Sequence, residues 1–211
     1  MATIRHSHIT DNSNFSKNSN NSHLKYAQKK VLFIGDESTN HRQVLISFVK
    51  DRYTEGYFSS NYFNFKFKGY EILIEEQEVE LNLWELDVSE KNTREKSLAY
   101  VDSDVVVLCF ERWNLDSLKR ITKKFHDEVK GVVNCPVLLV GIKSQKVVNK
   151  SPVLNEGSVL DIDVKIAMKS CGARDFVECE YGSKENVKSF MNGVIHLAKF
   201  PDEKHGKCVV Q

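Results

Sequence analysis

The chain has 211 residues, a mass of 24.2 kDa and a formal net charge of +1, from 30 basic and 29 acidic residues. That length suits one domain with a tail, and an apolar fraction of 41% is enough to fill a core. No run of 18 apolar residues is present and the first 25 residues are polar, so neither a membrane span nor a secretory leader is expected; the near-neutral sum excludes the broad positive field of a nucleic-acid binder.

Residues 1–28 hold five Asn and five Ser, with His6, His8 and His23 among them and few large apolar groups. Such a segment buries too little surface to offset its ordering entropy, so it reads as a disordered arm, and its histidines, lacking paired spacing, as solvated. From Lys29 the texture changes. Val31, Leu32, Phe33 and Ile34 run into Gly35 and predict a buried strand. Val44, Leu45, Phe48 and Val49 follow at helical spacing. Phe63, Phe65 and Phe67 alternate with polar residues at strand period. Ile72–Ile74 and the run Val79, Leu81, Leu83 flank two Glu and a Gln, which predicts a hairpin.

Residues 105–110 are continuously apolar, the pattern of a strand covered on both faces. Leu118, Ile121, Phe125 and Val129 predict a helix, and residues 136–141 another buried strand. Residues 142–161 read as an irregular surface excursion. A helix over 162–170 should stop at Gly172, residues 176–179 form a last strand, and Ser183 caps a final helix carrying Val187, Phe190, Met191, Val194 and Ala198. Buried strands alternating with amphipathic helices imply a three-layer α/β domain with a mostly parallel six-stranded sheet and one antiparallel edge strand.

The five cysteines, Cys109, Cys135, Cys171, Cys179 and Cys208, include no C-x-x-C pair, and their odd count argues against a disulfide framework. Zinc-ligand spacing and a nucleophile elbow are both missing, so neither a metal centre nor a covalent catalytic residue is predicted.

Several pieces in the right order then resemble one family. They are Val79-Glu80-Leu81-Asn82-Leu83-Trp84, Tyr100-Val101-Asp102-Ser103-Asp104-Val105, Asp116-Ser117-Leu118, Pro136-Val137-Leu138-Leu139-Val140-Gly141 and Glu178-Cys179. From about residue 29 to 200 the chain resembles the Rho branch of the Ras-like small GTPases, which have a P-loop NTPase fold. The excursion at 142–161 is similar to a shortened form of that branch's helical insert.

The resemblance implies guanine-nucleotide binding with Mg²⁺, so each chemical requirement can be set against the residues present. A phosphate cradle needs glycines, a Lys on the phosphates and a hydroxyl on the metal. Here Gly35 is kept, while Asn40 stands for the second Gly, His41 for the Lys and Arg42 for the Ser or Thr. Asn tolerates a left-handed backbone, so the loop shape can survive. Glu85 keeps the acid near the metal position, but Val88 replaces the γ-phosphate-sensing Gly and Ser89 the water-orienting Gln. Ser60 falls at the metal-binding hydroxyl of the first switch. In the guanine-reading stretch only Lys143 survives, with Gln145 in place of the bidentate Asp acceptor.

Losses at every nucleotide contact, with intact strands between them, predict weakened or lost GTP binding and hydrolysis and no catalytic residue. The alternative is a divergent but active GTPase switching between GDP and GTP through Lys143, Ser60 and the Gly35 loop. For the altered pocket the residues suggest a substitute for Mg²⁺, an ion pair of Arg42 with Glu85 or with Asp87; the plain alternative is a solvated Arg42. His41 reads as a surface or loop-satisfied histidine.

The chain ends Cys208-Val209-Val210-Gln211, a C-a-a-X signal for farnesylation at Cys208. One lipid chain binds a membrane weakly, so a second signal is expected. Residues 1–30 carry +4, residues 201–211 carry 0, and the body therefore carries −3. The basic arm is the candidate second signal at an anionic surface, on the cytoplasmic face of a membrane such as the plasma membrane, with a cytosolic pool. Expected partners are effectors or regulators at switch-like surfaces over residues 57–63 and 90–100, and no nucleic acid.

Overall fold

A computed structural model describes residues 27–52, 71–74, 77–88, 91, 93–143 and 158–201. The first strand, β1 (Ala27–Gly35), starts four residues earlier than the apolar run from Val31 suggested. A short 3-10 turn, Glu37–Thr39, leads into α1 (His41–Arg52). Then come β2 (Glu71–Ile74), β3 (Gln77–Asp87) and α2 (Thr93–Tyr100), followed by β4 (Val105–Glu111) and α3 (Leu115–Lys124). The end of α3 widens into one π-turn at Phe125–Val129. The chain closes with β5 (Val137–Lys143), α4 (Asp161–Cys171), β6 (Asp175–Glu180) and α5 (Lys184–Lys199).

The sheet order is β2-β3-β1-β4-β5-β6. Strands β3, β1, β4, β5 and β6 run parallel to their neighbours, and β2 lies antiparallel beside β3. The apolar runs are explained by which way their side chains point. Val31 and Phe33 of β1, with Val105, Val107 and Cys109 of β4, face the layer made by α1 and α5. Leu32 and Ile34, with Val106, Leu108 and Phe110, face the opposite layer of α2, α3 and α4. A strand covered on both faces has no solvent-facing register to mark with polar residues, so it reads as continuously apolar.

Helix ends follow local chemistry. Asn114 accepts from the backbone N–H of Asp116 and Ser117 and starts α3. Ser183 accepts from Asn186 N–H and starts α5. Gly172, at φ 62°, supplies the left-handed residue that ends α4.

Because β1 lies between β3 and β4, the chain leaves the carboxyl ends of neighbouring strands in opposite directions. Open α/β sheets place their ligand crevice at such a point. Gly35, Asp87, Glu111 and Lys143 all end strands there. The excursion is shorter than expected, since Ile142 and Lys143 belong to β5 and Val159 is buried against α4. The run Phe63–Phe65–Phe67 and the residues 57–63 lie outside the described residues, as does most of the arm.

Candidate functional site

The loop after β1 is built on Asp36. Its carboxylate accepts from the backbone N–H and hydroxyl of Ser38 and from Arg120 of α3, whose Nε and Nη2 lie 2.8 and 2.7 Å away. Burial opposes ionisation of Asp36, but these donors outweigh it and hold the carboxyl below its usual range. Asn40, at φ 54° and ψ 18°, takes the left-handed conformation that the loop needs just before α1. The loop shape expected of a phosphate cradle is therefore kept with Asn where a Gly would serve.

What fills that loop is a side chain. His41, expected at the surface or satisfied by the loop, is 3% exposed, so the surface reading is corrected; Thr39, in the loop, does bond its ring. The Thr39 hydroxyl donates to the Asp36 carbonyl at 2.7 Å and lies 2.5 Å from His41 Nδ1. A hydroxyl has one proton, and a carbonyl can only accept. The Thr39 proton is thus committed to Asp36, and His41 Nδ1 must carry the proton it shares with Thr39. The other ring nitrogen, Nε2, lies 3.2 Å from Oε1 of Glu85, itself 3% exposed. The contact has ion-pair distance without the alignment of a straight hydrogen bond.

Gly35 is needed for this packing. A Cβ there would sit 2.7 Å from both His41 Nδ1 and Thr39 Oγ1, closer than side-chain atoms tolerate. The close approach that the cradle permits is made by the imidazole.

Arg42 lies with its Nε 3.8 Å from Glu85 Oε2, and its side chain is about one-third exposed. The guanidinium has not swung away to solvent, so the expected Arg42–Glu85 proximity is present. The nearer group to Glu85 is the His41 ring, at 3.2 Å, which sequence reasoning did not assign to it.

The end of β3 is tied to the same loop. Val88 N–H, in the place of the γ-phosphate sensor, donates to Gly35 O at 2.8 Å. Its carbonyl accepts from Lys124 Nζ at 2.9 Å. Lys124 is buried and also lies 3.0 Å from Glu128 Oε2; Lys96 of α2 lies 2.9 Å from the same oxygen, and the Tyr100 hydroxyl donates to it at 3.3 Å. Burial lowers the Lys124 ammonium pKa and Glu128 works against that shift.

At the end of β5, Lys143 Nζ lies 2.5 Å from Glu178 Oε2, while Arg112 Nε donates to Glu178 Oε1 at 2.5 Å. Burial opposes ionisation of Glu178, and the two cations outweigh it, holding its carboxyl below the usual range. Arg112 also donates to Val159 O at 2.6 Å and to Asp161 at 3.3 Å. Arg112 was not foreseen, because its partners are 47 to 66 residues away. Gly141 leaves room for its stem, since a Cβ there would be 3.1 Å from Arg112 Cδ.

Gly35, Asn40, His41, Arg42 and Glu85 thus come together, and Lys143 sits at the end of β5, with β4 between it and β1. Ser60 and Cys208 lie outside the described residues. Among the described residues no group of three or more His, Cys, Asp or Glu is placed to hold a metal ion.

A family model described as "Ras family" matches residues 30–199. Among curated proteins the chain is similar to the Rho-related GTP-binding protein RhoB of Homo sapiens, with 30% identity over 167 residues covering 76% of this chain and 84% of the relative. The proteins of that name from Mus musculus and Rattus norvegicus match to the same extent. The matched span reaches from β1 to the end of α5, the whole of the sheet and its covering helices, and on that ground the chain belongs to the Ras family of small GTPases, on its Rho branch.

Proposed function

We propose that this protein is a Rho-like pseudo-GTPase, a membrane-associated partner-binding module that no longer uses guanine nucleotide as its switch. The observation that carries the reading is His41, whose imidazole packs on Gly35 and reaches Glu85. A nucleotide phosphate and its Mg²⁺ are a poor fit to this set of side chains. The imidazole stands where phosphate oxygens would approach Gly35, and the position of the metal-binding hydroxyl carries the guanidinium of Arg42. A fixed cation beside Glu85 opposes a second, divalent one. Lys143, the surviving base-reading residue, is engaged by Glu178.

In this reading the side chains stabilise one arrangement of the switch-like segments, and effectors or regulators meet that arrangement over residues 57–63 and 90–100. Farnesylation of Cys208 and the basic arm hold the protein at the cytoplasmic face of a membrane. Deleting residues 1–28 then reduces partitioning of the farnesylated protein onto anionic vesicles, and unchanged partitioning removes the arm from the account.

One observation favours the second reading, a divergent GTPase cycling between GDP and GTP with Mg²⁺. Asn40 keeps the left-handed geometry of the loop, so the backbone cradle is intact in shape. Titration of the purified protein with fluorescent GTP and GDP, with and without Mg²⁺, separates the two. The first reading expects no binding tighter than about 1 μM, or roughly −8 kcal/mol. Tighter, Mg²⁺-dependent binding establishes the second.

A further inference from the structure

Helix α2 has eight residues, too few to hold helical form alone. Of its described side chains only Ala99 and Tyr100 are buried, and Leu98 is 53% exposed. Little apolar area fixes it to the sheet, so its place depends on polar contacts. These fall at two points. At the carboxyl end Lys30 Nζ of β1 donates to Leu98 O at 2.7 Å and to Val101 O at 2.6 Å, covering carbonyls at a helix end. Further back, Lys96 and the Tyr100 hydroxyl both reach Glu128, which sits in the π-turn that closes α3. The same carboxylate holds Lys124, whose ammonium donates to Val88 O at the end of β3. Glu128 thus gathers both flanks of residues 89–92, α2 directly and Val88 through Lys124. Burial opposes its ionisation, but Lys96 and Lys124 outweigh it and hold the carboxyl below the usual range.

We propose that Glu128 is an internal latch, which fixes α2 and residue 88 in one arrangement from the α3 side. Resting on the reading above, the latch supplies a built-in hold for a segment that nucleotide no longer sets. Its strength comes from charge: one carboxylate faces two ammonium groups, and charge-assisted bonds in a partly buried site are the strong ones. Replacing the carboxylate by an amide leaves Lys124 buried without its anion and Lys96 without its partner. Lys30 pins the carboxyl end of α2 whether or not the latch is closed, so release loosens the helix without detaching it. Val88 follows, because its carbonyl is tied to the same ammonium that Glu128 neutralises.

The test is hydrogen–deuterium exchange of the full chain, read at the amides of residues 97–101, which the helix protects, at Val88, whose N–H donates to Gly35 O, and in β4. Glu128→Gln is expected to speed exchange at least tenfold at both 97–101 and 88, Lys96→Met at 97–101 alone, and Lys124→Met at 88. In all three β4 should stay within about twofold of wild type. Exchange at 97–101 that stays within about twofold of wild type in both Glu128→Gln and Lys96→Met overturns the proposal. A parallel rise in β4 also overturns it, because the ion cluster then serves general stability. Lys96 is nearer the surface, with 18% of its side chain exposed against 6% for Lys124, so its variant keeps the test decisive if Lys124→Met does not fold. The same exchange is followed in wild type with GTP and Mg²⁺. Slower exchange at 97–101 on adding GTP puts the hold in the nucleotide and overturns the latch together with the reading above. Variants that exchange like wild type, with no effect of GTP, overturn the latch alone. GTP binding that leaves 97–101 unchanged, with the variants behaving as expected, supports the latch and overturns only the reading above.

Discussion

Replacing His41 with Ala tests the central feature of the pocket. The substitution leaves the Glu85 carboxylate buried, with Arg42 Nε at 3.8 Å as the remaining nearby cation, and takes the donor from Thr39 Oγ1. Removing one partner of a buried ion pair costs about 3–5 kcal/mol, because the other is stranded. Arg42 retains part of the compensation, which places this loss near the lower end, about 3 kcal/mol. With an m-value of about 2 kcal/mol/M, the urea midpoint should fall by about 1.5 M. Glu85→Gln removes the stranded charge, so the double variant should be less destabilised than the two single losses added together, by at least ~1 kcal/mol. Additivity within ~0.5 kcal/mol, or a His41→Ala loss below ~1 kcal/mol, would refute the idea that His41 and Glu85 act as a pair.

Gly35→Ala should destabilise by about 1–3 kcal/mol through overpacking against the His41 ring and Thr39; measured in a His41→Ala background, the cost should drop, and an equal cost in both backgrounds assigns the strain elsewhere. Glu178 has a folded pKa below its unfolded value, so the stability it contributes is full above roughly pH 4.3 and is lost as pH falls through the folded pKa. Glu178→Gln should therefore flatten the fall of melting temperature below that pH, and should cost about 2 kcal/mol at pH 7 because two charge-assisted bonds are broken; a parallel acid profile contradicts this. Burial pushes the thiols of Cys135 and Cys171 up to about 11 and that of Cys179 up to about 12, and holds Cys109 well above its usual value. Iodoacetamide at pH 8 should therefore leave these four unmodified in the native protein while labelling them in the urea-unfolded protein, as read by peptide mass spectrometry; native labelling of Cys179 would show that β6 opens.

The strands and helices were legible where one side chain type answers one physical demand. The run 105–110 could be read as a strand because both of its faces are covered, and Gly172 and Ser183 marked helix ends through local backbone chemistry. The neighbourhood of Gly35, Asn40, His41, Arg42 and Glu85 was legible as well, since a strand ending in Gly35 and a helix soon after it could be read from the sequence. Its internal wiring was not. A histidine carries no burial preference that periodicity can detect, so His41 gave no sign of lying under the loop. Lys124 shares its helix with two exposed lysines, Lys119 and Lys123, and differs from them only by the tertiary neighbours that bury it. Arg112 joins Glu178 across 66 residues, a distance no local pattern spans.

The imidazole on Gly35 also bears on how the fold is maintained in a cell. A protein that binds a ligand only when folded gains RT ln(1 + [L]/Kd), about 4 kcal/mol when the ligand is at a thousand times its Kd. A nucleotide-holding fold therefore draws part of its persistence from the cytosolic pool and loses it when that pool is drained. In the reading proposed above, side chains that are covalently part of the chain take over those contacts at unit occupancy. Its melting temperature should be indifferent to guanine nucleotide and to chelators, so its abundance would be set by synthesis and turnover, independent of the energetic state of the cell.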